Sequence, residues 1–380
     1  MEVVKNESCG ERVALVAGVT GIVGLRLAEL MVGTDPGWAR VYGVARRPKP
    51  SWFKPRIAGY LQCDLLDREQ TLATLSPLTD VTHLFFTTVT IRDTEEENVQ
   101  ANGSMLRNTL DALLSKGGGL RHVSLLTGAK QYLGSFESML ATGGCTRISS
   151  SSLPIYCEDE PRLSAPNFYY EQEDILTATA ASTQLTWSVH RASVIIGVSP
   201  VSFVNVAFYL AAYALICKKE GLPFRFCGDR VCWESHTEFV DSHLVAKHLI
   251  WAATHPVAHN QAFNITNGDM VPWITLWPTI ASFFNLEMPP PYTGKPLCLV
   301  DALRDKAHVW DNIVSQYKLH PTPWEHLSEG WFVLDLCFKK LPLFRLSMEK
   351  SERLGFQGTQ DSTACLLNAF QELRNMGIIP

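Results

Sequence analysis

The sequence predicts an α/β fold, a doubly wound parallel sheet followed by a smaller, mostly helical C-terminal region. Short apolar runs without polar alternation recur through the first half, as expected of strands buried on both faces. Helical stretches of about 10–20 residues separate these runs, the signature of βαβ units. From about Ser199 the alternation stops, and proline and aromatic content rises (Trp273, Trp277, Pro289 to Pro291, Trp324, Trp331). The 380 residues are 46% hydrophobic and 19% charged, enough apolar material for a large core.

Taken in order, Arg12 to Gly18 reads as the first strand and Leu25 to Met31 as the first helix. Arg40 to Ala45 is the second strand, Tyr60 to Asp64 the third and Val81 to Phe86 the fourth. Glu95 to Leu114 has the length of a crossover helix. Arg121 to Leu126 and Leu185 to Arg191 are the fifth and sixth strands. This divides the chain into an α/β region, residues 1–198, and a second region, residues 199–380, parts of which pack back onto the sheet. Helices of the second region should cover the carboxyl ends of the strands, where open α/β sheets bind ligands.

Charge and cysteine usage exclude other classes. The formal net charge is −5 and no Lys/Arg block occurs, which argues against nucleic-acid binding. The polar start Met1 to Ser8 carries no secretory signal, so a cytoplasmic location is expected. The apolar run Phe203 to Cys217 contains Asn205 and falls short of the roughly 20 residues a bilayer span needs, so a buried or pocket-lining helix is expected and no stable membrane insertion. The ten cysteines show neither Cys-x-x-Cys nor zinc spacing, pointing to reduced thiols and no metal.

The turn after the first strand reads Gly18-Val-Thr20-Gly21-Ile22-Val23-Gly24, a G-x-x-G-x-x-G run opening a helix. Glycines there permit a tight turn and close backbone approach to a pyrophosphate, which the helix N-terminus attracts. The turn marks a Rossmann-type dinucleotide site. The end of the second strand, where an NAD site places an acid, instead carries Arg46 and Arg47. Two guanidiniums suit a 2′-phosphate, so NADPH/NADP+ is the expected cofactor, residues 1–198 are expected to form its Rossmann domain, and residues 199–380 a substrate-binding and lid region. Asp64 is placed either to meet the adenine ring or to cap a helix.

The usual partner of such a site, Tyr-x-x-x-Lys, is absent at all ten tyrosines. Two segments stand where its parts belong: Ser124 to Gly134, containing Thr127-Gly-Ala-Lys130, and Asn167-Phe-Tyr169-Tyr170. With Tyr42 to Arg47, Leu75 to His83, Trp187 to Arg191, Phe263 to Gly268 and Ser347 to Lys350, these motifs resemble the progesterone 5β-reductase and iridoid synthase family over nearly the whole chain. That family is an atypical extended branch of the short-chain dehydrogenases/reductases. The resemblance implies NADPH-dependent 1,4-reduction of an α,β-unsaturated carbonyl, with a small apolar terpenoid or steroid-like molecule as substrate. It implies Lys130 and Tyr169 as the catalytic pair, and Thr127, Tyr169 and Ile195 as further cofactor contacts. A phenol and an ammonium would stabilise the developing enolate, and Lys130 is expected to lower the pKa of Tyr169.

The resemblance also implies that Val89, Leu126, Phe136 and Phe332 face the substrate. Leu126 replaces the family's glutamine and Val89 a tryptophan of some members, which makes the expected pocket less polar and more open. Three alternatives stand beside enone reduction: a cyclisation as in iridoid-forming members, other carbonyl chemistry, and a non-catalytic NADP-binding sensor. The substrate, the stereochemistry and the oligomeric state are left open, a homodimer being one expectation.

Overall fold

The computed structural model describes residues 11–35, 37–135, 153–202, 204–339 and 344–380. β1 (Arg12–Ala17) leads through the glycine turn into α1 (Ile22–Gly33), then β2 (Trp38–Ala45), β3 (Gly59–Gln62), α2 (Arg68–Leu75), β4 (His83–Phe86), α3 (Glu95–Leu114), β5 (His122–Gly128) and the one-turn α4 (Lys130–Leu133). After β6 (Ile155–Tyr156) come α5 (Phe168–Thr183), β7 (Thr186–Ala192), β8 (Val194–Ile196), α6 (Val206–Glu220), α7 (Arg230–Glu234), β9 (His236–Thr237), β10 (Phe239–Asp241) and α8 (Ser242–Thr254). The chain ends with β11 (Gln261–Ile265), β12 (Val271–Pro272), α9 (Trp273–Phe283), α10 (Leu299–Ala302), α11 (Ala307–Tyr317), α12 (Trp324–Lys339), β13 (Arg345–Leu346), α13 (Glu349–Arg353) and α14 (Ser362–Asn375).

Seven strands form one all-parallel sheet in the order β11-β7-β5-β4-β1-β2-β3. β1 shows why its sequence is continuously apolar. Ala14 and Val16 enter one core, with α1, α6 and α8, whereas Val13, Leu15 and Ala17 enter the other, with α3 and α5. Both faces are covered, so neither side of the strand tolerates polar residues. β3 ends two residues before the expected Asp64, because Asp64 turns the chain: its Oδ1 accepts from the Leu66 N–H at 3.1 Å.

The seventh strand comes from beyond residue 198. β11 pairs with β7 from Gln261↔Ser188 to Ile265↔Ala192, and α8 packs against α1. The later half therefore contributes to the sheet as well as covering it. Its centre is α6, in which every residue from Val206 to Cys217 is buried among α11, α12 and α14. The apolar run is thus a core helix. Asn205, the polar residue within it, is the helix cap: its Oδ1 accepts from Phe208 N–H at 3.0 Å and its Nδ2 donates to the Ser199 carbonyl at 2.6 Å. Phe203, at the start of the run, lies outside the described residues.

Among the described residues no helix is long and apolar enough to cross a membrane, no His/Cys/Asp/Glu group converges to hold a metal ion, and the cysteines are free thiols.

Candidate active site

The strand order reverses between β1 and β4, and the glycine turn lies at the carboxyl end of β1 at that point. Gly18 has φ +84°, and a Cβ on it would lie 3.1 Å from Thr88, just beyond β4. A Cβ on Gly24 would lie 2.1 Å from the Gly18 carbonyl oxygen, so α1 presses on the turn as only glycine allows. The helix begins at Gly21 with no side-chain cap and no acid in its first turn. Its amino end is therefore a positive dipole end with free N–H groups, suited to a pyrophosphate. Thr20, Ile22 and Val23 are buried, and Ser199 Oγ fixes the turn by donating to the Thr20 carbonyl at 2.7 Å.

Around this turn the other expected cofactor residues divide by environment. Arg46 is exposed at the end of β2. Arg47 is half-buried, its Nη1 donating to the Val201 carbonyl at 3.0 Å while its own carbonyl accepts from Tyr60 Oη at 2.7 Å. Asp64 is engaged in its local turn, and Asp67 caps α2 by accepting from Gln70 N–H at 3.0 Å. Thr127 is buried, with Oγ1 donating to the His190 carbonyl at 3.2 Å. Ile195 is half-buried on β8, opposite Val240 of β10.

Lys130 and Tyr169 come from the two elements that the missing motif would have merged. Lys130 opens α4, two residues after β5, and is buried. Its Nζ donates to Glu95 Oε1 at 2.6 Å and to Asn167 Oδ1 at 3.1 Å, and lies 4.7 Å from the Phe168 ring centroid. Tyr169 is half-buried at the start of α5, and its ring packs beside Phe168 with centroids 4.3 Å apart. Its Oη covers Gly128, at 3.2 Å from where a Cβ would stand, beside the Ala192 carbonyl. Four residues beyond Tyr169, where the common motif has lysine, stands Glu173, which instead binds the Arg191 guanidinium at 3.1 Å.

Tyr170 faces away from this group. Its Oη donates to the Gln131 carbonyl at 2.8 Å and accepts from Leu163 N–H at 3.1 Å, with the Arg162 guanidinium 4.9 Å from its ring centroid. Successive helical side chains diverge by about 100°, and this divergence separates the two rings.

The electrostatics differ from expectation in one respect. Burial first, and then the Glu95 carboxylate, push the Tyr169 phenol above its ordinary pKa. Lys130 donates to Glu95 and does not pull the phenol down. Its own ammonium is shifted down by burial, against the opposing pull of Glu95.

Of the expected substrate-facing residues, Val89 is 45% exposed in the loop after β4, a loop clamped to α3 by Asn102, which both accepts from and donates to the Thr90 backbone. Leu126 is half-buried on β5, and Phe332 is 40% exposed on α12. Phe136 lies outside the described residues. The structure adds Glu95 and Asn167 to the site. Asn167 could have been read from the sequence as a helix cap before Tyr169. Glu95 is hidden in the acidic run Glu95 to Glu97, where nothing in the spacing separates it from its neighbours.

Residues 61–380 match the model of the PRISE-like Rossmann-fold domain. The chain belongs to that family. It is 42% identical to (S)-8-oxocitronellyl enol synthase ISY1 of Nepeta racemosa over 373 residues, covering 97% of this chain and 94% of the relative. It is equally 42% identical to the 3-oxo-Delta(4,5)-steroid 5-beta-reductase of Arabidopsis thaliana, again over 97% and 94% of the two chains. Among solved structures, UDP-glucose 4-epimerase of Thermotoga maritima superposes with a TM-score of 0.63 at 15% identity, over 95% of this chain and 99% of that one. The Bordetella bronchiseptica enzyme WbmH, solved in complex with NAD+, gives 0.61 at 15% identity over 96% and 99%. These two likenesses concern the fold. Within it, the glycine turn and uncapped α1 of this PRISE-like chain fit the pyrophosphate of a dinucleotide.

Proposed function

We propose that the protein is an NADPH-dependent 1,4-reductase of α,β-unsaturated carbonyls, an oxidoreductase acting on a small apolar enone or enal. The observation that supports this reading is that Lys130 Nζ and the Tyr169 backbone N–H both donate to Asn167 Oδ1, just beyond β5, in a chain 42% identical to a steroid 5-beta-reductase.

The cofactor, when bound, supplies hydride to the β-carbon of the substrate. The chain's part is electrostatic. Negative charge then develops on the carbonyl oxygen, and a neutral phenol at Tyr169 is the donor for it. The upward shift of that phenol keeps it protonated across the working range, which suits a hydrogen-bond donor more than a proton-exchanging acid. The buried Lys130 adds a fixed positive charge nearby. A proton from solvent completes the saturated carbonyl at the α-carbon. Arg46 and Arg47 favour the 2′-phosphate of NADPH, while Val89, Leu126 and Phe332 border the substrate.

A second reading has its own support: several relatives, including those of Nepeta racemosa and Camptotheca acuminata, carry the name enol synthase. On that reading the reduced enol leaves, or cyclises, before it is protonated at carbon. Following NADPH at 340 nm over cyclic enones, linear enals and dialdehydes, with products identified, separates the two. A saturated carbonyl formed in step with NADPH loss supports reduction alone, and a cyclised or enol product with the same NADPH loss supports the second. Turnover without NADPH loss contradicts both.

A further inference from the structure

Glu95 is 3% exposed at the first position of α3, and one of its oxygens does two things. Oε1 accepts from Lys130 Nζ at 2.6 Å and from the backbone N–H of Phe168 at 2.9 Å. Phe168 is the first residue of α5, and the next residue is Tyr169, whose own N–H donates to Asn167 Oδ1 at 3.1 Å. Asn167 closes the circuit, accepting from Lys130 Nζ and donating to the Lys130 carbonyl at 3.0 Å. A single carboxylate thus ties the lysine to the helix end that presents the tyrosine.

This carboxylate is not needed to cap its own helix. Thr94 and Glu97 do that reciprocally, Thr94 Oγ1 accepting from Glu97 N–H and Glu97 Oε2 accepting from Thr94 N–H, both at 3.2 Å. Glu95 turns inward instead and sits at the amino ends of α3 and α5, where helix dipoles favour an anion. A carboxylate this buried requires a cation and hydrogen-bond donors, and Lys130 and Phe168 N–H supply them.

We propose that Glu95 is a positioning residue: its charge holds Lys130 protonated and in place against the amino end of the helix that carries Tyr169, so that the pair forms a fixed template. The kinetic part of this inference rests on the reductase reading above. The part concerning Lys130 does not. On the elements packed beside Lys130 the titratable groups include Glu95 of α3, Tyr169 and Tyr170 of α5 and Tyr132 of α4 itself. Tyr170 is bonded to the Gln131 carbonyl, and Tyr132 to Asn264 and Arg191. Arg191 of β7 is in turn paired with Glu173 of α5. Glu95 is the charge in direct contact with Lys130 among the described residues.

Glu95→Gln keeps the shape and an acceptor for Phe168 N–H while removing the charge. The side-chain ammonium of Lys130 can be followed in 15N-lysine-labelled, substrate-free protein by NMR, with Lys130→Met identifying its signal. The expected result is a Lys130 midpoint lower by about one pH unit or more in Glu95→Gln. The basic limb of kcat against pH should move down in step, with little change in KM for NADPH. In the Lys130→Met background, Glu95→Gln should change the rate by less than about twofold, because residues acting through one another are not additive. Should Glu95→Gln fail to fold, Glu95→Asp carries the titration: its shorter reach draws the charge back, and the midpoint should fall by a smaller amount. An unmoved midpoint overturns the proposal, and so does a full multiplicative loss in the Lys130→Met background. A midpoint that falls in a protein inactive on every enone supports the link between Glu95 and Lys130 and overturns the reductase reading.

Discussion

Tyr169 and Tyr170 are adjacent, yet their hydroxyls meet different surroundings: one covers Gly128 beside Lys130's turn, the other binds two backbone groups. Tyr169→Phe removes an oxyanion donor and is expected to lower turnover by about a hundred- to a thousandfold with NADPH binding intact. Lys130→Met should fall comparably and also lose thermal stability, since it takes from Glu95 a counter-ion at 2.6 Å. Tyr170→Phe should keep turnover within about tenfold and cost about 1–3 kcal/mol of stability through the Gln131 carbonyl it leaves behind. Turnover of all three on one accepted enone, beside thermal melts, checks the set. A dead Tyr170→Phe with an active Tyr169→Phe would reverse the assignment. For the cofactor, replacing Arg46 and Arg47 by Ala should weaken NADPH binding about tenfold or more and leave NADH nearly unchanged. Equal affinity of the parent protein for the two cofactors would contradict this.

At the scale of elements, Gly128 tests how closely β5 must approach the α5 start. Its added Cβ would lie 3.2 Å from Tyr169 Oη, so Gly128→Ala should shift the phenol by a few tenths of an ångström. The expected outcome is a lower kcat with a melting temperature near the parent's. A large drop in melting temperature at unchanged kcat would place the strain elsewhere. The same scale shows what the sequence made legible. The glycine turn, the crossover helix at Glu95–Leu114 and six strands of the sheet could be read because each depends on local pattern: uninterrupted apolar runs, a helical length and composition, punctuating glycines. β11 could not be read as the seventh sheet strand, since its five residues lie after the apparent end of the βαβ alternation and their partner, β7, is distant in the chain. Nor could the pairing of Glu95 with Lys130, which joins positions 35 residues apart that only the fold brings together. The expectation that Lys130 lowers the Tyr169 pKa failed for this reason.

Across the whole molecule, a chain of neutral histidines crosses the sheet. His122 Nε2 lies 3.1 Å from Ser188 Oγ, which lies 2.9 Å from His190 Nε2. His190 Nδ1 is 2.8 Å from His248 Nδ1, and His248 Nε2 is 3.0 Å from Ser351 Oγ. A contact between two Nδ1 atoms needs one donor and one acceptor, so adding a proton to the acceptor breaks it. Burial lowers His83 to about 4 and His248 to about 3, and lowers His122 and His190 well below their ordinary range. Above an unfolded-state value of about 6.5 neither state holds these protons, and stability is full. As pH falls below that value the unfolded chain takes up protons that the folded one refuses, at about 1.4 kcal/mol per pH unit for each histidine. Glu238, pushed up to about 7 by burial, works in the opposite sense between about 7 and its unfolded value near 4.5, offsetting one of the four. The melting temperature should therefore fall steeply from pH 6.5 to pH 5, and His248→Gln should flatten the slope. An unchanged melting temperature over that range would contradict the neutral chain. Conjugate reduction through Tyr169 and Lys130 can be measured as NADPH consumption at 340 nm on an enone series, with each product identified. One saturated or enol-derived carbonyl product is expected per NADPH oxidised, with a rate that collapses in Tyr169→Phe and NADPH binding that survives it. Turnover of Tyr169→Phe at the parent rate, or conversion of substrate with no NADPH oxidised, would contradict it.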